Sequence, residues 1–152
     1  MKHTIIGRTA EMEILAQLLK SDQPGLLAIY GRRRVGKTYL IKNYYAGHLK
    51  FACSGECGGS LSTQLANFQQ QLNTWFPANR QLQPPANWQQ AFTMLRECLD
   101  KVKTKGKKVI FFDELPWLDT HKSGFLSAFG YFWNIYLSDR PDILAVICGS
   151  AA

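Results

Sequence analysis

One stretch of the chain constrains its fold more than any other. An apolar run at 25–30 leads directly into Gly-Arg-Arg-Arg-Val-Gly-Lys-Thr at 31–38. This octapeptide has the spacing of the Walker A phosphate loop, which joins a strand to a helix and points backbone N–H groups at bound phosphate. We therefore predict a strand that ends at Gly31, a tight turn, and a helix that begins near Gly36 and runs to about Ala46.

The residue types in this loop indicate a nucleoside triphosphate, ATP in particular, bound with Mg²⁺. Lys37 is expected to reach the β- and γ-phosphates, and the Thr38 hydroxyl is expected to hold the metal ion. The alternative is a glycine-rich turn beside a basic cluster, which the flanking strand and helix patterns disfavour. The predicted nucleotide-binding residues of this segment are Gly31, Arg32, Arg33, Arg34, Val35, Gly36, Lys37, Thr38 and Tyr39.

A second motif lies about 70 residues further along the chain, at 108–114. The apolar run at 108–112 ends in Asp113 and Glu114, as expected for a buried parallel strand that delivers acids to its C-terminal edge, the form of Walker B. Asp113 is expected to bind Mg²⁺ through water, and Glu114 to polarise the water that attacks the γ-phosphate. A strand ending in two acids is common, so a structural role for either carboxylate remains the alternative.

Length and cysteine content narrow the class of protein. The 152 residues fit one domain, and no apolar run approaches the roughly 18 residues needed to cross a bilayer, so a cytoplasmic protein is expected. Cys98 and Cys148 fall in apolar patterns and are predicted to be buried. Cys53 and Cys57 have the spacing of half a metal site, but no second pair follows, so zinc is not expected.

The net charge of +7 comes partly from the phosphate loop and partly from a lysine-rich segment at 101–108. We predict that these lysines end a helix that starts at an Asn87 cap and stops near Gly106, where the helix dipole favours cations. A solvated helix end is the simpler interpretation. Contact with nucleic acid or another acidic partner stays open.

The remaining elements alternate between strands and helices. This alternation, with a phosphate loop after the first core strand, predicts an α/β fold with a doubly wound parallel sheet, three-layered like the P-loop NTPases. Aromatic residues on the last helix are expected to pack on the sheet, with contact to a partner as the alternative. The predicted helices lie at 9–20 with Thr9 as its cap, 61–75 and 124–137, and the predicted strands at 50–53 and 142–148, with a loop at 76–86.

Gly7-Arg8 with Glu11, together with the triple-arginine loop at 31–38, resembles the N-terminal ATPase domains of the archaeal-type and bacterial P-loop ATPases of the AAA+/STAND group. The resemblance covers essentially the whole chain. It implies a P-loop ATPase core over 1–152 whose last strand lies between the two Walker strands. It also implies that Ser150 senses the γ-phosphate and that Ile5, Ile6 and Arg8 lie near the adenine and ribose.

Members of this family continue with a fifth core strand, a helical lid and usually a C-terminal domain. The resemblance therefore implies an incomplete core, weak hydrolysis, an exposed first core strand open to self-association, and a DNA or protein partner bound through the region that follows. The chemistry is expected from Lys37, Thr38, Asp113 and Glu114. The alternatives are a nucleotide-dependent switch or nucleic-acid-binding module with little turnover, and a small-molecule kinase, which Glu114 beside Asp113 disfavours.

Overall fold

A computed structural model of the chain describes residues 9–32 and 36–151, apart from the side chains at 9, 31, 32, 150 and 151. Four strands form one sheet, and helices cover both of its faces. The strands are β1 (Gly25–Arg32), β2 (Leu49–Ser54), β3 (Lys108–Asp113) and β4 (Ile143–Ala151). The helices are α1 (Thr9–Lys20), α2 (Lys37–Tyr44), α3 (Leu61–Trp75), α4 (Trp88–Asp100), α5 (Leu115–Leu118) and α6 (Phe125–Ile135).

The sheet is parallel throughout, with the strand order β1-β4-β3-β2. This confirms the predicted fold class and the predicted place of the last strand, between the strands that carry the two Walker motifs. The C-terminal ends of β1, β4 and β3 therefore meet at one edge. There, the backbones of Gly31 and Ser150 are paired.

Two apolar clusters hold the layers together. The larger one lies on the face covered by α3, α4 and α6, where Phe92 stacks on Phe132 with ring centroids 5.0 Å apart and Phe112 rises from the sheet. The smaller one joins α1 and α2 to the opposite face through Leu15 and Ile41. Every residue of β3 is buried, which explains its nearly continuous apolar sequence. The aromatic packing predicted for the last helix is confirmed by the burial of its phenylalanines.

Several element boundaries differ from the prediction. β1 does not stop at Gly31 but continues through Arg32, because β4 extends to Ala151 and offers it a parallel partner. Thr9 is the first residue of α1 rather than its cap, and α2 ends at Tyr44. The Asn87 cap is confirmed, since its side-chain oxygen accepts a 2.8 Å hydrogen bond from the Gln90 backbone N–H.

The lysine-rich segment is solvated at Lys101, Lys103 and Lys105, as predicted, but not at its end. Helix α4 stops at Asp100, and Lys107 and Lys108 are buried. The ammonium group of Lys107 donates to three backbone carbonyls, those of Ser21, Gln23 and Pro141, at 3.0, 2.7 and 2.8 Å. These three hydrogen bonds satisfy the donors of the buried ammonium group, which lies at the edge of the sheet away from the Walker motifs.

No helix in residues 9–32 and 36–151 combines the length and the apolarity that a membrane-spanning helix requires.

Candidate functional site

The start of α2 has the backbone of a phosphate-binding turn. Gly36, immediately before the helix, adopts the left-handed conformation with φ 80° and ψ 20°, which glycine enters without steric cost. Among the described residues no side chain caps this helix start, and its first turn contains no acidic residue. The N–H groups and the positive end of the helix dipole are therefore available to an anion. The side chain of Lys37, the first helical residue, is buried at this position.

A short hydrogen bond joins the two Walker segments. The Thr38 hydroxyl donates to Oδ2 of Asp113 at 2.5 Å, across 75 residues of sequence. The other carboxylate oxygen of Asp113 accepts the backbone N–H of Glu114 at 2.9 Å. Because both oxygens are engaged and the residue is buried, the carboxylate has one defined orientation toward the start of α2.

Glu114 stands in an unusual backbone conformation. Its φ of 54° and ψ of 47° place it in the left-handed region, and among the described non-glycine residues only Lys122 shares a positive φ. Such a conformation costs on the order of 1–3 kcal/mol and is found most often at functional sites. The chain turns here from β3 into α5, and the half-buried Glu114 lies beside Asp113 at the carboxyl edge of the sheet.

A neutral thiol lies next to these acids. Cys148, on β4, is buried, and burial together with the nearby Asp113 carboxylate raises its thiol pKa to about 12. Burial, followed by Asp113, also raises the thiol pKa of Cys53 on β2. The predicted burial of Cys148 and Cys98 is confirmed, but sequence reasoning missed that Cys148 borders Asp113. Its position two residues before Ser150, at the end of an apolar strand, was the available signal.

A small pocket borders Asp113 on the β2 side. Its volume is about 160 Å³, and its walls come from α2, β2, α3 and β3. Besides Asp113, the polar and aromatic lining includes Lys42, Ser54, Gln71 and Trp75. The pocket is much smaller than the roughly 300–1,000 Å³ typical of small-molecule sites.

The structure brings together the residues predicted to carry the chemistry: Lys37, Thr38, Asp113 and Glu114. Ser150 lies opposite Gly31 by its backbone register, and Tyr39 on α2 is exposed. The side chains of Arg32 and Ser150 are outside the description. Also outside the described residues are Ile5, Ile6, Arg8, Arg33, Arg34 and Val35.

Fold and site together define a P-loop α/β domain, with the phosphate loop after the first strand and an acidic pair at the end of a neighbouring strand. The model of one protein family, described as an ATPase domain predominantly from Archaea, matches residues 5–152. The chain belongs to this family.

Individual relatives are consistent with that membership. A segment of 39 residues is 44% identical to an uncharacterized ATP-binding protein of Methanocaldococcus jannaschii, covering 26% of this chain and 66% of that protein. The Walker-type ATPase paby2304 of Pyrococcus abyssi has a similar fold, with a TM-score of 0.60 and 18% identity over 96% of this chain. A chain in the structure of Drosophila ORC bound to DNA gives a TM-score of 0.62 at 13% identity over 97% of this chain.

The two proteins of similar fold are longer than the present chain. It spans 45% of the Pyrococcus abyssi protein and 39% of the Drosophila chain. At such low identities the structural likeness concerns the fold alone.

Proposed function

We propose that this chain binds ATP together with Mg²⁺ and that its domain hydrolyses the γ-phosphate with water. The observation that carries the proposal is the 2.5 Å contact between the hydroxyl of Thr38 and the carboxylate of Asp113, at the uncapped start of α2. The contact sets a hydroxyl, a carboxylate and a helix N-terminus around one point. Membership of an ATPase domain family supports the same conclusion.

In this proposal the phosphates bind where α2 begins. The left-handed Gly36 lets the backbone turn so that the first N–H groups of the helix face the phosphate oxygens. The buried side chain of Lys37 extends from the same turn, and its ammonium group supplies a positive charge to the β- and γ-phosphates. The loop residues 31–35 complete the phosphate site, and Arg8 with Ile5 and Ile6 contacts the adenine and ribose.

The donor set at Thr38 and Asp113 fits Mg²⁺. Hydroxyl and carboxylate oxygens are the hard ligands that this ion prefers, and it usually keeps several waters and binds only one or two protein groups. Among the described residues no group of three or more His, Cys, Asp or Glu side chains forms a site for another metal ion. When bound, Mg²⁺ neutralises charge on the phosphate oxygens.

Glu114 is the proposed general base. Its carboxylate takes a proton from water as the water oxygen bonds to the γ-phosphorus and the bond to the β–γ bridging oxygen breaks, leaving ADP and phosphate. The strained backbone of Glu114 supports this role, because strain is retained where a side chain must be aimed. Ser150, opposite the loop in register, is the proposed sensor of the γ-phosphate.

One observation favours a second candidate, an ATP-dependent switch with little turnover. Stabilisation of the transition state by an arginine is worth about 10³- to 10⁵-fold in related phosphoryl transfer. Among the described side chains, those of Arg96 and Arg140 both stack on Tyr136, near the opposite edge of the sheet, and so lie away from the site. Hydrolysis by this chain alone is therefore proposed to be slow, with a DNA or protein partner stimulating it.

The same reasoning places a small-molecule kinase third. The pocket beside Asp113 is small for an acceptor molecule, and Glu114 favours water as the nucleophile.

The four cysteines are free thiols, which supports a cytoplasmic location for the proposed ATPase.

Equilibrium binding of a fluorescent ATP analogue, with and without Mg²⁺, tests the binding half of this proposal. We expect Lys37→Ala to weaken binding at least about 10-fold, since it removes a charge-assisted contact worth about 1.5–3 kcal/mol. Lys105→Ala, at an exposed position outside the site, is the matched control and should bind normally. Equal affinity of the Lys37→Ala and wild-type proteins would contradict the proposed site.

ATP should also raise the melting temperature. A ligand at about 100 times its Kd adds roughly 2.7 kcal/mol, equivalent to about 5–12 °C for a domain of this size. No shift at millimolar ATP and Mg²⁺ would contradict binding by this chain.

A further inference from the structure

The turn that carries Glu114 lies between two glycines on the neighbouring strands. Gly55 directly follows β2, and Gly149 lies near the end of β4, so the two flank the end of β3. Glu114 and the short helix α5 sit at this position. Two backbone atoms lie within 3.0 Å of the position that a Cβ atom would take at Gly55.

Gly55 has no room for a side chain. A Cβ atom added there would lie 2.6 Å from the backbone oxygen of Glu114, 2.8 Å from Cβ of Trp117 and 3.0 Å from the backbone nitrogen of Leu118. None of these three atoms can rotate away, because each belongs to the backbone or is attached directly to it. The backbone N–H of Gly55 also donates to the carbonyl of Asp113 at 3.0 Å, which ties the glycine to the end of β3.

Gly149, on the β4 side of the Glu114 turn, is less tightly enclosed than Gly55. An added Cβ would lie 3.2 Å from a ring carbon of Tyr30 and 3.3 Å from Cδ of Pro116. Both are side-chain atoms, and the tyrosine ring is exposed and can move. A substitution at Gly149 should therefore shift α5 less than one at Gly55.

The turn between the two glycines is a strained one. Glu114 keeps its left-handed backbone while its carbonyl accepts the backbone N–H of Trp117 at 3.0 Å. The same carbonyl oxygen is the atom nearest to the missing side chain of Gly55. A side chain at Gly55 would therefore displace the backbone of Glu114, and the conformation of that backbone determines where the Glu114 carboxylate points.

We propose that Gly55, and to a smaller extent Gly149, are positioning residues for Glu114. Because these two residues have no side chains, the turn at Glu114 can pack closely against the edge of the sheet. This packing holds the Glu114 carboxylate next to the water that attacks the phosphate. This inference rests on the proposed function of Glu114 as the base. Gly55 acts on hydrolysis through Glu114 and leaves nucleotide binding at the start of α2 intact.

The test compares single-turnover hydrolysis with nucleotide affinity in Gly55→Ala. A displacement of about 1 Å in a catalytic group costs on the order of 100-fold in rate. We expect the hydrolysis rate at saturating ATP to fall at least about 10-fold, with the Kd for ATP changed less than about 3-fold. Gly47→Ala and Gly130→Ala, where an added Cβ meets nothing within 4 Å, are the controls and should match the wild type in both measurements.

Two further variants separate positioning from general damage. If Gly55→Ala does not fold, Gly149→Ala carries the test, with a rate loss smaller than that of Glu114→Gln and an unchanged Kd. Adding Gly55→Ala to Glu114→Gln should cause no further loss of rate, because the residue it positions is already disabled.

Three results would overturn the inference. They are wild-type hydrolysis by a folded Gly55→Ala, loss of ATP affinity in parallel with rate, or the same fold-loss from Gly55→Ala with and without Glu114→Gln. Unaltered hydrolysis in Glu114→Gln alone would instead refute the proposed function of Glu114, and this inference with it.

Discussion

The hydroxyl of Thr38 lies 2.5 Å from the carboxylate of Asp113, so the second residue of α2 is tied directly to the last residue of β3. In the sheet, β4 lies between β3 and β1, the strand that leads toward α2. The site therefore depends on all three strands, because insertion of β4 determines how far β3 lies from β1.

Asp113→Asn should uncouple metal from nucleotide. The amide keeps the size of the side chain but removes the charge that Mg²⁺ requires, and it replaces one acceptor oxygen with a donor. We expect Mg²⁺ to strengthen ATP binding by the wild-type protein. In the variant this strengthening should be at least about 10-fold smaller. Titrations of a fluorescent ATP analogue in EDTA and in Mg²⁺ measure the difference.

Thr38→Ser, which keeps the hydroxyl, is the matched control for this experiment and should retain the Mg²⁺ effect. An undiminished response to Mg²⁺ in Asp113→Asn would remove Asp113 from the metal site.

Lys107→Met should destabilise the fold without changing the site. The variant keeps most of the apolar side chain but leaves the carbonyls of Ser21, Gln23 and Pro141 without their common donor. A hydrogen bond to a charged group contributes about 1.5–3 kcal/mol, and the carbonyls of the exposed Gln23 and Pro141 can bind water instead, so we expect the free energy of unfolding to fall by about 1.5–3 kcal/mol. Urea denaturation provides the measurement, with Lys105→Met, at an exposed position, as the control. A loss below about 0.5 kcal/mol would show that the three contacts contribute little.

Asp142 gives a prediction about pH. Its carboxylate accepts two hydrogen bonds from Arg140, at 2.8 and 2.9 Å, and one from Lys108 at 3.0 Å. These contacts, those of Arg140 foremost, hold the pKa of Asp142 well below its usual range. A depressed pKa in the folded state contributes stability above the unfolded pKa of about 3.9, and this contribution is lost as the pH falls further.

Asp142→Asn should therefore unfold more easily than the wild type at pH 7, by about 1–2 kcal/mol once solvent screening of the partly exposed carboxylate is allowed for. The difference should shrink as the pH is lowered below about 4. Asp139→Asn, in the same turn but exposed, is the control. A difference that is the same at pH 7 and pH 3 would show that the charge of Asp142 is not what stabilises the fold.

The sequence predicted the sheet well because its strongest signals are local. A glycine-rich loop after an apolar run, and two acids after another, each require a strand that ends at the same edge. The interpretation of the lysine-rich segment was wrong for Lys107 and Lys108, because their hydrogen-bond partners are distant in the sequence. The acceptors of Lys107 and Lys108 lie 34 to 86 residues away in the chain, and alternating lysines after a helix have the pattern of a solvated segment.

The glycines around Glu114 could not be assigned from sequence for a related reason. Gly55 is required by the space that α5 occupies, not by a positive φ, so no local turn pattern identifies it. The contact of Cys148 with Asp113 likewise depends on strand register between β3 and β4. Such properties arise only when three strands are aligned.

The first core strand is predicted to mediate self-association. Within the described residues β1 pairs only with β4, so its other edge is unpaired there. Its Leu26 and Tyr30 side chains are 44% and 65% exposed, whereas the partly buried Leu27 packs against the smaller apolar cluster. Exposed apolar edge strands recruit other strands. We expect concentration-dependent dimerisation in sedimentation velocity, weakened by Leu26→Lys.

Leu82→Lys, at a loop leucine that is 81% exposed, is the matched control for this prediction and should leave dimerisation unchanged. A wild-type chain that stays monomeric up to high micromolar concentration would rule out self-association through this edge.

The most direct test of the whole account is ATP hydrolysis by Glu114→Gln, measured beside its affinity for ATP. The substitution preserves size and removes only the ability to accept a proton, and a positioned base is worth about 10²- to 10⁴-fold in rate. We predict that the single-turnover rate falls by at least about 100-fold while the Kd for ATP with Mg²⁺ stays within about 3-fold of the wild type. Hydrolysis at the wild-type rate, or loss of ATP binding together with hydrolysis, would contradict the assignment of binding to Lys37, Thr38 and Asp113 and of catalysis to Glu114.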